Sequence, residues 1–89
     1  MNPTMREQLR LMVLTTLDLS KPYALGVSDL RLGLASGFRQ LSDAEIEAEI
    51  LYLADKGFVR SPERTISPEN KKWTVTAVGR DFLAMENFV

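Results

Sequence analysis

Apolar positions along the chain change period several times, and each change marks an element. Met5, Leu9, Met12, Val13, Thr16 and Leu17 recur at the three-to-four spacing of one helical face. Thr4 with Glu7 three residues later has the form of a capping box, and Lys21-Pro22 stops the pattern by Asp18–Ser20, which predicts a first helix over about residues 4–18. Tyr23, Leu25 and Val27 then alternate with Ala24 and Gly26, as in a short strand. Ser28 is placed to cap a second helix with Leu30, Leu34 and Leu32 inward, ending near Ser36 at Gly37.

The third helix is specified most sharply. Ser42 and Glu45 form a Ser-x-x-Glu capping box, and Leu41 before the cap faces Ile46 at staple spacing. Ile46, Ile50, Leu53 and Ala54 make its inward stripe, and Gly57 is the expected left-handed terminator. Phe58-Val59-Arg60 reads as a strand. Ser61–Lys71 holds Pro62, Pro68 and Asn70 and reads mostly as loop. Trp73 and Val75 alternate with Lys72, Thr74 and Thr76, so the two strands can pair as a hairpin with a long tip. Thr76 can cap a last helix with Val78, Phe82, Leu83 and Met85 as its apolar positions.

With 89 residues, no internal repeat and no linker, residues 1–89 are expected to form a single domain. The absence of Cys and His excludes disulfide scaffolds, thiolate or imidazole metal sites, cysteine nucleophiles and His-based triads. Carboxylates without a glycine-rich phosphate loop do not make an active site, so neither enzyme, cofactor nor metal is expected. The net charge of −1 and a sequence pI of about 5.4 argue against a bulk polybasic binder. The longest apolar run, Leu11–Leu14, is far too short to span a membrane, and no signal peptide is evident, so a cytoplasmic location is expected.

Three local patterns in order carry a resemblance. Ser28-Asp29-Leu30-Arg31 and Ser42-Asp43-Ala44-Glu45 give two capped helices around a break that contains Gly37. Leu53-Ala54-Asp55-Lys56-Gly57-Phe58-Val59 is similar to the Leu-x-x-x-Gly-aliphatic-Val passage from a recognition helix into a wing. Trp73-Thr74-Val75-Thr76 followed by Gly79-Arg80-Asp81-Phe82-Leu83 is similar to the wing's return strand and the helix after it. Over about residues 5–86 the chain thus resembles the winged helix-turn-helix superfamily of bacterial regulators and prophage genes. The resemblance implies an α+β, mostly α fold: helix, short strand, two helices, two-stranded wing, C-terminal helix. It implies a third helix in the major groove of double-stranded DNA, a wing on phosphates or the minor groove, and a homodimer often joined through terminal helices.

The charges divide that expectation. Residues 42–57 carry Asp43, Glu45, Glu47, Glu49 and Asp55 against Lys56 alone. Aligned with the usual base-reading positions are Asp43, Ala44, Glu47 and Ala48, which offer carboxylates for a cytosine amino group and methyl contacts. The reading that dipole and capping preferences favour is a solvated acidic helix with Asp43 and Glu45 at the favourable end of its dipole. In the wing, Arg60, Arg64, Lys71 and Lys72 outnumber Glu63 and Glu69. They suit phosphates, or they serve to block edge pairing. Arg31 and Arg39 are further candidates for backbone contacts. Trp73 can stack on bases but at strand spacing belongs to the core. Tyr52, off the inward stripe, suits a protein contact. Leu11 and Leu14 lie opposite the inward stripe of the first helix. With Met85, Phe88 and Val89 they are the candidate dimer surface, unless the short strand covers them. The expected function is a dimeric DNA-binding regulator acting through its wing. The alternative is an interaction module whose acidic third helix meets a basic protein partner.

Overall fold

The computed structural model describes residues 2–38, 40–62 and 71–87. Helix α1 spans Pro3–Leu19 and is capped by Asn2, whose Oδ1 accepts from Met5 N at 2.8 Å. Thr4 is therefore inside the helix rather than its cap. Pro3 explains the shift: its fixed φ suits the first helical position, and Asn2 before it is a strong N-cap.

Helix α1 is the spine of the molecule. It touches α2 (Val27–Leu32), α3 (Asp43–Asp55), β2 (Thr74–Val75) and α4 (Ala77–Asn87). Leu9, Val13, Leu14 and Leu17 are all fully buried. The expectation that Leu14 faces outward is thus incorrect. A helix apolar on more than one face is covered from two directions, and here the chain's own elements supply both covers. Leu11 is half-buried against the same core.

The predicted strand at 23–27 contracts to one residue, Leu25, which exchanges both backbone hydrogen bonds with Trp73 (2.9 and 2.8 Å). Val27 instead opens α2. That helix starts from Gly26 without a side-chain cap, so Ser28 lies inside it, and it ends at Gly33, not near Gly37. Gly33 lies against α1, where a Cβ would fall 2.7 Å from Thr16 Cγ2. The early stop leaves Leu32 exposed at 75% while Leu30 and Leu34 turn inward. A 3-10 turn, Ser36–Phe38, then buries Phe38.

Helix α3 follows its sequence signals. Ser42 Oγ accepts from Glu45 N (3.1 Å), and Glu45 Oε1 accepts from Ser42 N (3.0 Å), the reciprocal capping box. Gly57 terminates it with φ +80°. β1 (Val59–Arg60) pairs antiparallel with β2, with Val59 opposite Val75 and Arg60 opposite Thr74. Val59, Trp73 and Val75 point into the core. Thr76 caps α4: its Oγ1 accepts from Gly79 N (3.1 Å) and donates to Gly57 O (2.6 Å). On α4, Leu83 is buried and the Phe82 ring stacks on Phe58 at 4.6 Å, while Met85 is 81% exposed and Val78 is also exposed. The result is a mostly helical α+β chain with a two-stranded antiparallel sheet. None of its helices is long and apolar enough, among the described residues, to cross a membrane.

Candidate nucleic-acid interface

The five carboxylates of α3 have separate fates. Asp43 pairs with Arg31, whose Nη1 also donates to Leu41 O at 2.6 Å. Arg31 thereby ties α2 to the start of α3, and its guanidinium is already engaged. Glu45 closes the capping box. The Ser42 backbone N–H, and then the Ser42 hydroxyl, hold its carboxyl below the ordinary carboxylate range. Glu49 faces inward and is buried. Its Oε1 accepts from Arg10 Nε at 2.7 Å, with Arg6 Nε 4.0 Å from Oε2. Glu45, Glu47 and Asp55 make no ion pair among the described residues, and of these three only Glu45 is held by a hydrogen bond.

Geometry explains this partition. On a wheel of 100° per residue Glu49 falls beside Ile46 and Leu53, inside the buried arc. Ala44, Ala48, Leu51 and Asp55 form the opposite crest, with Glu47 on one shoulder and Tyr52 on the other. Ala44 and Ala48 are exposed and Leu51 is 46% exposed. Tyr52 is less free than its position off the stripe suggests. The Arg10 guanidinium carbon stands 3.7 Å over its ring, and Lys56 Nζ stands 5.6 Å away. Arg10 and Glu49 are thus the pair that hydrophobic spacing did not flag, although the wheel position of Glu49 marks it.

On the hairpin, Arg60 and Lys72 are exposed and point away from the core-facing Val59, Trp73 and Val75. Because Arg60 lies opposite Thr74, Lys72 is its diagonal neighbour on the same face. Neither makes an ion pair among the described residues. Lys71 is half-buried with Nζ 5.3 Å over the Trp73 ring. Trp73 itself is buried and offers no stacking platform. Arg39, Arg64, Phe88 and Val89 lie outside the described residues.

A cleft of about 260 Å³ opens between α1, the end of α3 and α4. Leu11, Leu53, Phe58 and Phe82 line it, with Glu7, Glu86 and Lys56 among its charged groups. No group of three or more acidic side chains among the described residues could hold a metal ion.

No family model matches the chain, and no curated protein matches it. Among solved structures it is similar to a crystal structure from Thermoplasma acidophilum, described as that of a candidate transcriptional regulator. The two share 16% identity with a TM-score of 0.76, over 98% of this chain and 84% of that one. At that identity the likeness concerns the fold, and it is compatible with a winged-helix-like arrangement.

Proposed function

We propose that the chain is a small winged-helix DNA-binding protein, acting in transcription regulation in the cytoplasm and held on the duplex mainly by its basic wing. The observation that carries this reading is the partition of charge on α3. Counted from sequence, the helix is repelled by phosphates. Counted by partner, two of its five carboxylates are compensated by cations, Asp43 by Arg31 and Glu49 by Arg10, while Glu45 stays ionised in the Ser42 cap. Arg60 and Lys72 remain exposed on one face of the hairpin, with Lys71 beside them. The structural neighbour's description as a candidate regulator supports the same reading.

The test is duplex binding by the purified chain, titrated from low to physiological salt. Lys71→Ala with Lys72→Ala should flatten the log–log salt dependence by about two units per protomer engaged, since each phosphate contact contributes about one. An unchanged slope would remove the wing from the interface.

The proposal includes a two-fold dimer seated on the α1–α4 cleft, through Leu11 and the exposed Met85. Glu7 and Glu86 lie one helical turn from Leu11 and Phe82, and Lys56 lies on α3, so a second copy could pair unlike charges across the axis. Sedimentation at high micromolar concentration tests it, and a monomer there would exclude it. The exposed Leu51 beside Glu47 and Asp55 favours the other reading, a face for a basic protein partner. That reading gains if no duplex is bound at low salt.

A further inference from the structure

Over the first turns of α3 the exposed crest has no side chain that donates a hydrogen bond. It consists of Ala44, Ala48 and Leu51, with the half-buried Glu47 on its shoulder. The cation that touches this region, Arg31, is held by Asp43 and Leu41 O. From Ala44 to Leu51 the crest runs about 10 Å, the length of roughly three base-pair steps.

Each base offers a different major-groove edge to such a surface. Guanine shows two acceptors, N7 and O6, which face a carboxylate unfavourably. Cytosine N4 and adenine N6 carry amino groups that a carboxylate can accept from. Thymine carries a methyl group, the one edge feature that alanine and leucine complement. Resting on the DNA-binding reading above, we infer that α3 selects its site by thymine methyl contacts at Ala44, Ala48 and Leu51, and by exclusion of guanine opposite Glu47. Specificity of this kind does not use the arginine–guanine pairing that dominates base readout. The wing supplies attraction without sequence, and the crest supplies discrimination without charge attraction.

The test changes the DNA rather than the protein, so folding of a variant is not at issue. The chain is used to select duplexes from a randomised pool at low salt. In the best binder each thymine is then replaced in turn by deoxyuridine, which removes only the methyl group. Two or three neighbouring thymines should each lose roughly fourfold in affinity, the worth of one buried methyl. Deoxyuridine outside that block is the control. Guanine placed opposite Glu47 should weaken binding at least about fivefold, and Glu47→Gln, whose amide can donate, should relieve that penalty. Duplexes bound equally well with uracil throughout, or selected sites rich in guanine, would overturn the inference while leaving DNA binding intact. If no duplex is retained at any salt, the DNA-binding reading fails and this inference falls with it.

Discussion

Glu49→Ala should be among the more damaging single changes on the helices, although the residue is a carboxylate on a strongly acidic element. The side chain is 10% exposed, accepts from Arg10 Nε at 2.7 Å and sits near Arg6. Removing one member of a buried ion pair leaves the other charge uncompensated, at about 3–5 kcal/mol when burial is complete. Arg10 is 22% exposed and stacked on Tyr52, so water can reach part of the widowed guanidinium. The expected loss is therefore smaller, about 2–3 kcal/mol. In a domain of this size that corresponds to roughly 10–20 °C in Tm.

The assay is urea unfolding of the parent, Glu49→Ala, Arg10→Ala and the double variant, read as a cycle. Arg10→Ala also strips the cation from the Tyr52 ring and should cost at least as much as Glu49→Ala. The double variant should be less unstable than the sum of the singles by about 1–2 kcal/mol, because each single strands a charge that the double removes. A coupling below about 0.5 kcal/mol would refute the reasoning, since the two groups would then act independently. Replacing both with apolar residues of similar size, Arg10→Met with Glu49→Leu, should be close to neutral.

Other outcomes follow from local geometry. Ser42→Ala should lower stability by about 1 kcal/mol, seen as a lower urea midpoint, because Glu45 N loses its acceptor. Glu45 has its carboxyl pKa lowered on folding, so its contribution is present above the unfolded carboxylate range and disappears as pH falls through the folded value. The gap in urea midpoint between the parent and Glu45→Gln should accordingly close on acidification, and a constant gap would contradict the capping role. Gly79→Ala would put a Cβ 2.2 Å from Phe58 O and 2.8 Å from Val75 Cγ2, so α4 must move away from the hairpin, at about 1–3 kcal/mol or more by chemical denaturation. Leu14→Ala should cost about 2–5 kcal/mol and leave the sedimentation profile of the folded fraction unchanged; a variant as stable as the parent would return Leu14 to the surface.

Where a sequence signal was local and complete, it located the element. Ser42, Glu45 and Gly57 fix both ends of α3 by contacts within a few residues, and the structure places them as expected. Thr76 before α4 and the alternation of Trp73 and Val75 behave in the same way. Where two local signals competed, the pattern misled. Thr4 and Glu7 match a capping box, but Asn2-Pro3 starts the helix first. Ser28 is a good cap residue, yet α2 begins at Val27, because the bridge from Leu25 to Trp73 fixes the chain there. The stop at Gly33 rather than Gly37 was not visible locally. Gly33 also meets a long-range demand, the approach of Thr16 seventeen residues earlier in the chain, which leaves no room for a Cβ.

The site was harder to read for a related reason: charge and exposure belong to pairs of elements, not to one. Glu49 and Glu47 are two residues apart and chemically identical, yet one is buried under Arg10 and the other stands on the outer shoulder of α3. Wheel position separates them, but only the arrival of α1 gives Glu49 its partner. Leu11 and Leu14 show the apolar counterpart. Both lie off the first stripe of α1. Leu14 is enclosed by the elements packed around the spine, whereas Leu11 ends beside a cleft that Phe58 and Phe82 line. A net charge summed along α3 therefore overstates the repulsion that DNA would meet, and an apolar count along α1 overstates the surface left for a second copy. Both errors have one origin. The third helix and the first are each other's partner, and a residue facing that contact is removed from solvent whatever its sign or polarity. What remains outside is the smaller set on which binding can act: the alanine crest on α3 with the half-buried Glu47 beside it, Arg60 and Lys72 on the hairpin, the half-buried Leu11 at the cleft, and Met85 exposed on α4.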